Sequence, residues 1–315
     1  MQKSNVLRKH LPLDELLQRR QQIEDVNYWR GINPRSTIST LSLAESRNSQ
    51  DSTDPKAACH AMQLREEGYF QTSPIIPDSM LQEMRECIEI VRRHGFPVMF
   101  SLVYDVFYSV FSYFDSILTH ILGSEYKLIP NFWVYYIDPT DAGKGFEPHR
   151  DAEYVNTIDA HGMPTVLTLW VTITDATPLN SCMYILPKDR DPQYNQAIHD
   201  LKTNANQLAL EDIRALPTKA GILSCWDQYV FHWGSRSSKR APHPRISYAM
   251  YCQRGDVDPV DNAIIDMRNG IDFKTRLEVI CKGMHRYSYL SVQSPDPRDP
   301  LLSFLERHIA NLKNV

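Results

Sequence analysis

Three side chains between residues 149 and 232 are of the types that hold a metal ion. His149 and Asp151 lie two residues apart in the run FEPHRD, and His232 follows in the run FHWGS. Residues i and i+2 of an extended chain point to the same side, so His149 and Asp151 can bind one ion. A histidine from a distant strand would complete one face of an octahedron. Two imidazoles and a carboxylate with open positions opposite are typical of non-haem Fe(II) oxygenases.

The pair formed by His149 and Asp151 is the only HxD in the sequence, and it is weak support by itself. Its ordinary alternative is a histidine that caps a turn beside an aspartate at the surface. The order of the later residues adds weight. His232 follows the strand-like run GILSCWD, and a further strand-like run begins at Arg245.

Arg245 and Ser247 begin that last run, and their spacing places both on one side of a strand. A guanidinium donates two parallel charge-assisted hydrogen bonds to a carboxylate, and a hydroxyl can add a third. The pair is therefore a candidate clamp for an organic acid. The alternative for Arg245 is a salt bridge at the surface, because a basic cluster precedes it, formed by Arg236, Lys239, Arg240 and His243.

These runs together resemble the phytanoyl-CoA dioxygenase-like branch of the Fe(II)/2-oxoglutarate-dependent oxygenases. The resemblance extends over residues 132–253 and includes VLTLWVTITDATPLNSCMYILP, in which Trp170 and Asp175 match the family's W-x-x-L-x-D pattern at its ends. The sequence departs from the family in two loops. NSCM at 180–183 replaces an Asn-Gly turn, and LPKDR at 186–190 replaces a Pro-Gly-Ser-His run.

The resemblance implies a fold that is mainly β with flanking helices (α+β), built on a double-stranded β-helix, a jelly-roll, cupin-like barrel with the metal at its open mouth. It also implies roles. Arg245 binds the distal carboxylate of 2-oxoglutarate and Ser247 assists it, whereas Thr168 and Tyr135 are candidates for further contacts, with barrel packing as their alternative. The catalytic Fe(II) is held by His149, Asp151 and His232.

The implied reaction couples oxidative decarboxylation of 2-oxoglutarate, giving succinate and CO2, to hydroxylation of an unactivated C–H bond by O2. The substrate class is a small metabolite or natural-product intermediate. Related halogenases lack the carboxylate, so Asp151 favours hydroxylation, desaturation, epoxidation or ring formation. Two other interpretations stay open: a cupin-like isomerase or hydrolase that binds Zn(II) or Mn(II) without 2-oxoglutarate, and a catalytically silent barrel that binds a small molecule.

Hydrophobic periodicity predicts the elements that must hold these residues. In the run VLTLWVTIT, alternate residues point to opposite sides, with Leu167 and Leu169 on one side and Thr168 and Trp170 on the other. Strands are predicted over 132–137, 166–174, 183–186, 221–226 and 245–252. Helices are predicted over 56–69, 77–94, 105–122, 273–284 and 301–312, with two short ones over 193–201 and 209–215.

Changes in amino-acid composition along the chain predict its domain organisation. Residues 1–55 are predicted to form a helix and an irregular linker or wrap, for which a substrate lid over 36–55 is the alternative. Residues 56–315 are predicted to form a single jelly-roll domain. Its helical support spans 56–123, and its C-terminal helices span 273–313.

The composition and charge of the chain narrow the classes of expected binding partner. The 315 residues carry a net charge of -4, which gives no reason to expect a nucleic-acid or membrane partner. The six cysteines have no metal-finger spacing, so reduced thiols and a cytoplasmic location are expected. Residues 1–11 contain no apolar run, so no ordinary secretory signal is expected, and no segment approaches the roughly 18 apolar residues of a membrane span. The expected partner is a small-molecule substrate, and the oligomeric state is open.

Overall fold

The computed structural model describes residues 13–42, 55–140, 145–151, 156–194, 208–261 and 264–287. Two antiparallel sheets lie among helices. The helices of this part of the chain are α1 Leu13–Glu24, α2 Val26–Ile32, α3 Pro55–Glu67, α4 Asp78–Arg93, α5 Val106–Ser109, α6 Asp115–Leu122 and α7 Phe273–Arg286. Its strands are β1 Tyr69–Gln71, β2 Lys127–Ile137, β3 Val166–Thr172, β4 Met183–Leu186, β5 Arg214–Leu216, β6 Leu223–Asp227, β7 Phe231–Gly234 and β8 Arg245–Gln253.

The larger sheet has the strand order β1-β6-β3-β8-β2, and the smaller sheet has the order β5-β4-β7. The segment 145–149 extends the smaller sheet, because His149 pairs with His232 of β7 in an antiparallel bridge. The expected α+β class is therefore confirmed in its coarse form. The expected barrel is not closed: among the described residues, the edge strands β1 and β2 of the larger sheet pair with no strand of the smaller one.

Strand β3 lies at the centre of the larger sheet and is buried on both faces. Leu167, Leu169 and Val171 belong to the large core that the sheet shares with the helices. Trp170, on the opposite face, belongs to a smaller core that includes residues of both sheets. The predicted alternation is therefore confirmed, and the Thr168 side of β3 faces the space between the sheets.

The segment 105–122 is buried as predicted, but the prediction of a single helix is wrong. It consists of α5, a 3₁₀ turn over Val110–Tyr113, and α6, with a break at Phe114, whose φ is -124°. The rings of Phe111 and Phe114, both fully buried, lie 4.9 Å apart between centroids beside this break. Core packing of these aromatic rings therefore overrides the continuous helical pattern.

The prediction of a helix over 209–215 is also wrong. A short 3₁₀ turn, Leu210–Asp212, is followed directly by β5, whose Leu216 pairs with Met183 of β4. The pairing with β4 is a long-range interaction that local propensity does not encode. The predicted helix over 301–312 and most of that over 193–201 lie outside the described residues.

The N-terminal helices α1 and α2 agree with the predicted helix at 1–55. Within the predicted linker, the described residues 36–42 lie on the core, where Thr37 and Ser39 donate hydrogen bonds of 2.6–2.9 Å to Asp105. Arg276 of α7 forms a buried ion pair of 2.6 Å with the same carboxylate. No helix of the described residues is both long and apolar enough to cross a bilayer.

Candidate metal centre

Two backbone hydrogen bonds place the first histidine beside the second. The amide of His149 donates to the carbonyl of His232 at 3.0 Å, and the amide of His232 donates to the carbonyl of His149 at 2.9 Å. Two glycines on the same pair of segments allow this close approach. A Cβ on Gly234 would lie 2.7 Å from the Cα of Gly145, closer than non-bonded atoms tolerate.

His149, Asp151 and His232 form a compact cluster in which one ligand atom from each residue lies within 4.8 Å of the others. The Nε2 atom of His149 is 3.3 Å from Oδ1 of Asp151. The Nε2 atom of His232 is 3.7 Å from Oδ2 of the same carboxylate. His232 and Asp151 are buried, whereas His149 is partly exposed, so one side of the cluster faces outward.

Both imidazoles are oriented through Nδ1. His149 Nδ1 lies 2.7 Å from the Glu147 carbonyl oxygen, and His232 Nδ1 lies 3.0 Å from the Val230 carbonyl oxygen. A carbonyl only accepts, so each Nδ1 carries a proton, and in the neutral imidazole Nε2 is then the nitrogen with a lone pair for a ligand. Burial lowers the pKa of His232 to about 4, against the opposing effect of Asp151. His232 is therefore neutral at pH 7, as metal binding requires.

The Asp151 carboxylate is buried and held by donors. Thr168 Oγ1 donates to Oδ2 at 2.7 Å, and Trp226 Nε1 donates to the same oxygen at 2.9 Å. Burial raises the pKa of Asp151, but the two histidines and the Thr168 hydroxyl outweigh it and hold that pKa well below its usual range. The group is therefore an anion at neutral pH. Thr168, a candidate contact of 2-oxoglutarate, donates this hydrogen bond to Asp151, and its contact with 2-oxoglutarate stays a prediction.

Arg245 forms the second part of the site. Its side chain is fully buried, its Nη1 donates to Ser247 Oγ at 2.5 Å, and its guanidinium lies 5.1 Å from the ring centroid of Tyr135. Burial lowers the pKa of Arg245 to about 10, so it stays charged at neutral pH. Among the described residues, no carboxylate pairs with it, and its Nε has no hydrogen-bond partner. A buried cation without an anion is suited to bind one.

The strand register of the larger sheet shows how Arg245 lies relative to the His-Asp-His cluster. Ser247 pairs with Thr172 of β3 and with Tyr135 of β2, so these side chains share one face of the sheet. Thr168 lies four residues before Thr172, on that same face and about 13 Å away along the strand. Arg245 and Asp151 therefore both border the space between the sheets.

The sequence did not single out three residues near the ligands, of which the first two support Asp151. Trp226 lies within the predicted strand 221–226, but its contact with Asp151 depends on the pairing of β6 with β3. Gln228 follows that strand and donates to Thr168. Arg150, between the two ligands of the HxD pair, points away from them and forms a buried ion pair with Asp191, with 2.5 Å between Nη1 and Oδ2. The i, i+2 rule could have indicated that direction for Arg150.

The donor set fits Fe(II). Two imidazole nitrogens and one carboxylate oxygen lie on one side of a prospective ion, which leaves positions for other ligands. Each histidine also has the carbonyl contact that fixes metal-binding imidazoles in proteins.

Known proteins resemble this chain in sequence and in fold. The family profile of phytanoyl-CoA dioxygenase (PhyH) matches residues 64–242, which is more than half of the chain. This range includes His149, Asp151 and His232 and ends just before Arg245. A comparison with curated proteins gives no match.

Solved structures of similar fold include several non-haem enzymes. The nickel complex of the monooxygenase ThoJ is 16% identical, with a TM-score of 0.52, covering 73% of this chain and 97% of ThoJ. The epimerase SnoN with Fe3+, alpha ketoglutarate and nogalamycin RO is 17% identical, with a TM-score of 0.50, covering 64% and 85%. EctD from S. alaskensis, with 2-oxoglutarate and 5-hydroxyectoine, is 15% identical, with a TM-score of 0.50, covering 70% and 82%. At these identities the likeness concerns the fold.

Proposed function

The chain belongs to the phytanoyl-CoA dioxygenase family, and from that premise we propose that it is an Fe(II)- and 2-oxoglutarate-dependent oxygenase. We further propose that it hydroxylates an unactivated C–H bond of a small metabolite or natural-product intermediate, with release of succinate and CO2. One observation carries this proposal. A buried guanidinium without a carboxylate partner among the described residues borders the same space as a His-Asp-His cluster.

His149, Asp151 and His232 would hold the iron, and Arg245 with Ser247 would hold the distal carboxylate of 2-oxoglutarate. When bound, iron and 2-oxoglutarate supply the oxidising power that is drawn from O2. The residues of the chain supply ligation, orientation and a site with little water. Arg245 can orient the co-substrate because its planar fork fixes the direction of a carboxylate.

Tyr135 lies between the two parts of the site. Its ring meets the Arg245 guanidinium on one side and the ring of Phe146 on the other, with 5.6 Å between the ring centroids. Phe146 in turn lies 5.3 Å from the imidazole of His149. These aromatic rings limit the access of water to the region between clamp and ligands. Tyr135 thus retains its proposed place beside 2-oxoglutarate, through ring contact with Arg245.

The alternative functions do not account for all the residues of the site. A Zn(II) or Mn(II) isomerase or hydrolase that uses no 2-oxoglutarate would leave Arg245 buried and charged without a counter-ion, which is costly. A silent binding barrel would have no need of two imidazoles whose Nε2 atoms converge on one carboxylate. Halogenation is disfavoured because Asp151 occupies the position that a halide would need.

The test is anaerobic reconstitution with Fe(II), followed by exposure to O2 with 2-oxoglutarate and a panel of small metabolites. We expect one succinate for each 2-oxoglutarate consumed, stimulated by the true substrate, and transfer of one ¹⁸O atom from ¹⁸O2 to the product. No succinate with any metal would contradict the oxygenase assignment. Succinate formation with a product that contains no ¹⁸O would contradict hydroxylation and favour desaturation, epimerisation or ring formation.

A further inference from the structure

One oxygen of the Asp151 carboxylate has both of its acceptor positions occupied. Oδ2 accepts from Thr168 Oγ1 at 2.7 Å and from Trp226 Nε1 at 2.9 Å. A carboxylate oxygen has two lone pairs in its plane, and these two donors use them. Oδ1, which lies 3.3 Å from Nε2 of His149, is left to act as a ligand.

A third residue fixes the direction of these hydrogen bonds. Gln228 Nε2 lies 3.0 Å from Thr168 Oγ1. The carboxylate of Asp151 is only an acceptor, so the single hydroxyl proton of Thr168 must point to it. Gln228 must then donate to Thr168, which requires its amide nitrogen to face the hydroxyl. The chain Gln228–Thr168–Asp151 therefore has one consistent arrangement of protons.

The three supporting residues lie on rigid parts of the fold. Thr168 of β3 and Trp226 of β6 are direct cross-strand partners in the larger sheet, and Gln228 follows β6. All three are buried, with at most 3% of their surface exposed. Water therefore cannot replace these donors readily, and the donors cannot move without disturbing the sheet.

We propose that Thr168, Trp226 and Gln228 are positioning residues that keep Asp151 a one-oxygen ligand. By occupying Oδ2 they prevent the carboxylate from binding a metal through both oxygens. Three protein ligand atoms then leave three octahedral positions open, as a chelating co-substrate and O2 need. This inference rests on the proposed function, since it concerns the metal of the same site.

The test compares variants of the full chain that remove one donor at a time. Thr168→Val removes the hydroxyl at nearly constant shape, Thr168→Ser restores it, and Trp226→Phe removes the indole N–H. Co(II) serves as an O2-stable probe, and its dissociation constant and ligand-field absorption are measured together with the thermal midpoint of the metal-free protein. We expect Thr168→Val and Trp226→Phe to weaken Co(II) binding by about 10- to 100-fold and to change its absorption, and Thr168→Ser to bind as the wild type does.

Thr172→Val is the matched control. Thr172 lies on the same strand and face, is equally buried, and donates to the Lys219 carbonyl rather than to a ligand. Its loss should lower the thermal midpoint without changing Co(II) affinity or absorption. Unchanged Co(II) binding in Thr168→Val, or an equal loss in Thr172→Val, would overturn the inference. A wild-type protein that binds no Co(II) would overturn the proposed function instead.

Discussion

His149 and His232 each donate a backbone hydrogen bond to the other, at 3.0 and 2.9 Å, and their imidazole centroids lie 4.3 Å apart. Two distant segments of the chain are therefore brought together by main-chain atoms, and this bridge uses no imidazole atom. The backbone bridge does not depend on the side chains. Substitution of a histidine side chain should therefore affect metal binding without disrupting the fold.

Replacing His149 by alanine should abolish metal binding with little loss of stability. The side chain is partly exposed, and the bridge to His232 uses backbone atoms alone. We expect the Co(II) dissociation constant to rise more than about 100-fold. Loss of a residue that only supports a ligand raises it by about 10- to 100-fold, and loss of a ligand itself should raise it further. Calorimetric titration and thermal melting measure the two effects, and His120→Ala, at an exposed helix position, is the control. A His149→Ala variant that keeps its affinity would exclude this residue as a ligand.

Arg245→Lys should weaken the binding of 2-oxoglutarate although the charge is kept. Lysine lacks the planar fork, and the buried site is shaped for a guanidinium that reaches Ser247. The expected cost is about 2 kcal/mol or more, which corresponds to a rise of roughly 30-fold in the dissociation constant. Titration of the Co(II)-loaded protein with 2-oxoglutarate measures it. The exposed Arg240→Lys should have no effect, and equal affinities in both variants would refute the clamp.

Asp191→Ala should destabilise the protein strongly, because it leaves Arg150 charged and buried without its partner. Only 3% of the Arg150 side chain and 1% of the Asp191 side chain are exposed. Breaking a buried pair of this kind costs about 3–5 kcal/mol. Asp189→Ala breaks an exposed pair with Arg190 and should cost less than about 1 kcal/mol. Urea unfolding measures the loss in free energy of unfolding for both variants. Equal losses would show that burial of the ion pair does not determine its contribution to stability.

Gly234→Ala should impair the site through the backbone. The added Cβ would meet the Cα of Gly145 at 2.7 Å, so the two segments that carry His149 and His232 must separate. We expect a loss of about 1–3 kcal/mol in the free energy of unfolding, with weaker Co(II) binding. Gly31→Ala, with no atom within 4 Å of its Cβ, is the control and should be neutral or stabilising. Wild-type behaviour of Gly234→Ala would show that the segments tolerate separation.

Asp227 should make stability depend on pH in an unusual direction. Burial raises the pKa of Asp227 to about 6, against the hydrogen bond from Tyr194. The folded state then binds a proton that the unfolded state releases near pH 4, so this contribution is present at low pH and is lost as the pH rises towards 6. Relative to Asp227→Asn, the wild type should lose about 2–3 kcal/mol between pH 4 and 7. Urea unfolding across this range measures the difference, and a wild type that loses no stability relative to Asp227→Asn would contradict the prediction.

The relative placement of the candidate site residues was largely predicted from the sequence, because it depends on spacing. The i, i+2 relation put His149 and Asp151 on one side of the chain, and the same relation put Arg245 beside Ser247. The structure places both pairs as predicted. The strand β4 was predicted to the residue, and β3 was predicted within two residues, since alternation of apolar side chains is a strong local signal.

Contacts that depend on pairing between distant strands could not be predicted from residue spacing. The contact of Thr168 with Asp151 requires β3 to lie beside β6, and β5 forms only because β4 offers its edge. The break at Phe114 likewise reflects aromatic packing in three dimensions rather than a helix-breaking residue. In each case the deciding interaction joins residues that are remote in sequence, or depends on the shape of the core.

Of the three candidate ligands, His149 is the one with an appreciable side-chain exposure, 23% against 4% for His232 and 7% for Asp151. Exchange of an ion with the medium would thus proceed past the imidazole of His149. Chelators in a purification buffer would act from this side and strip the protein without unfolding it. Reloading would be rapid for the same reason, and the order of addition of metal and organic acid should then govern how much active protein is recovered.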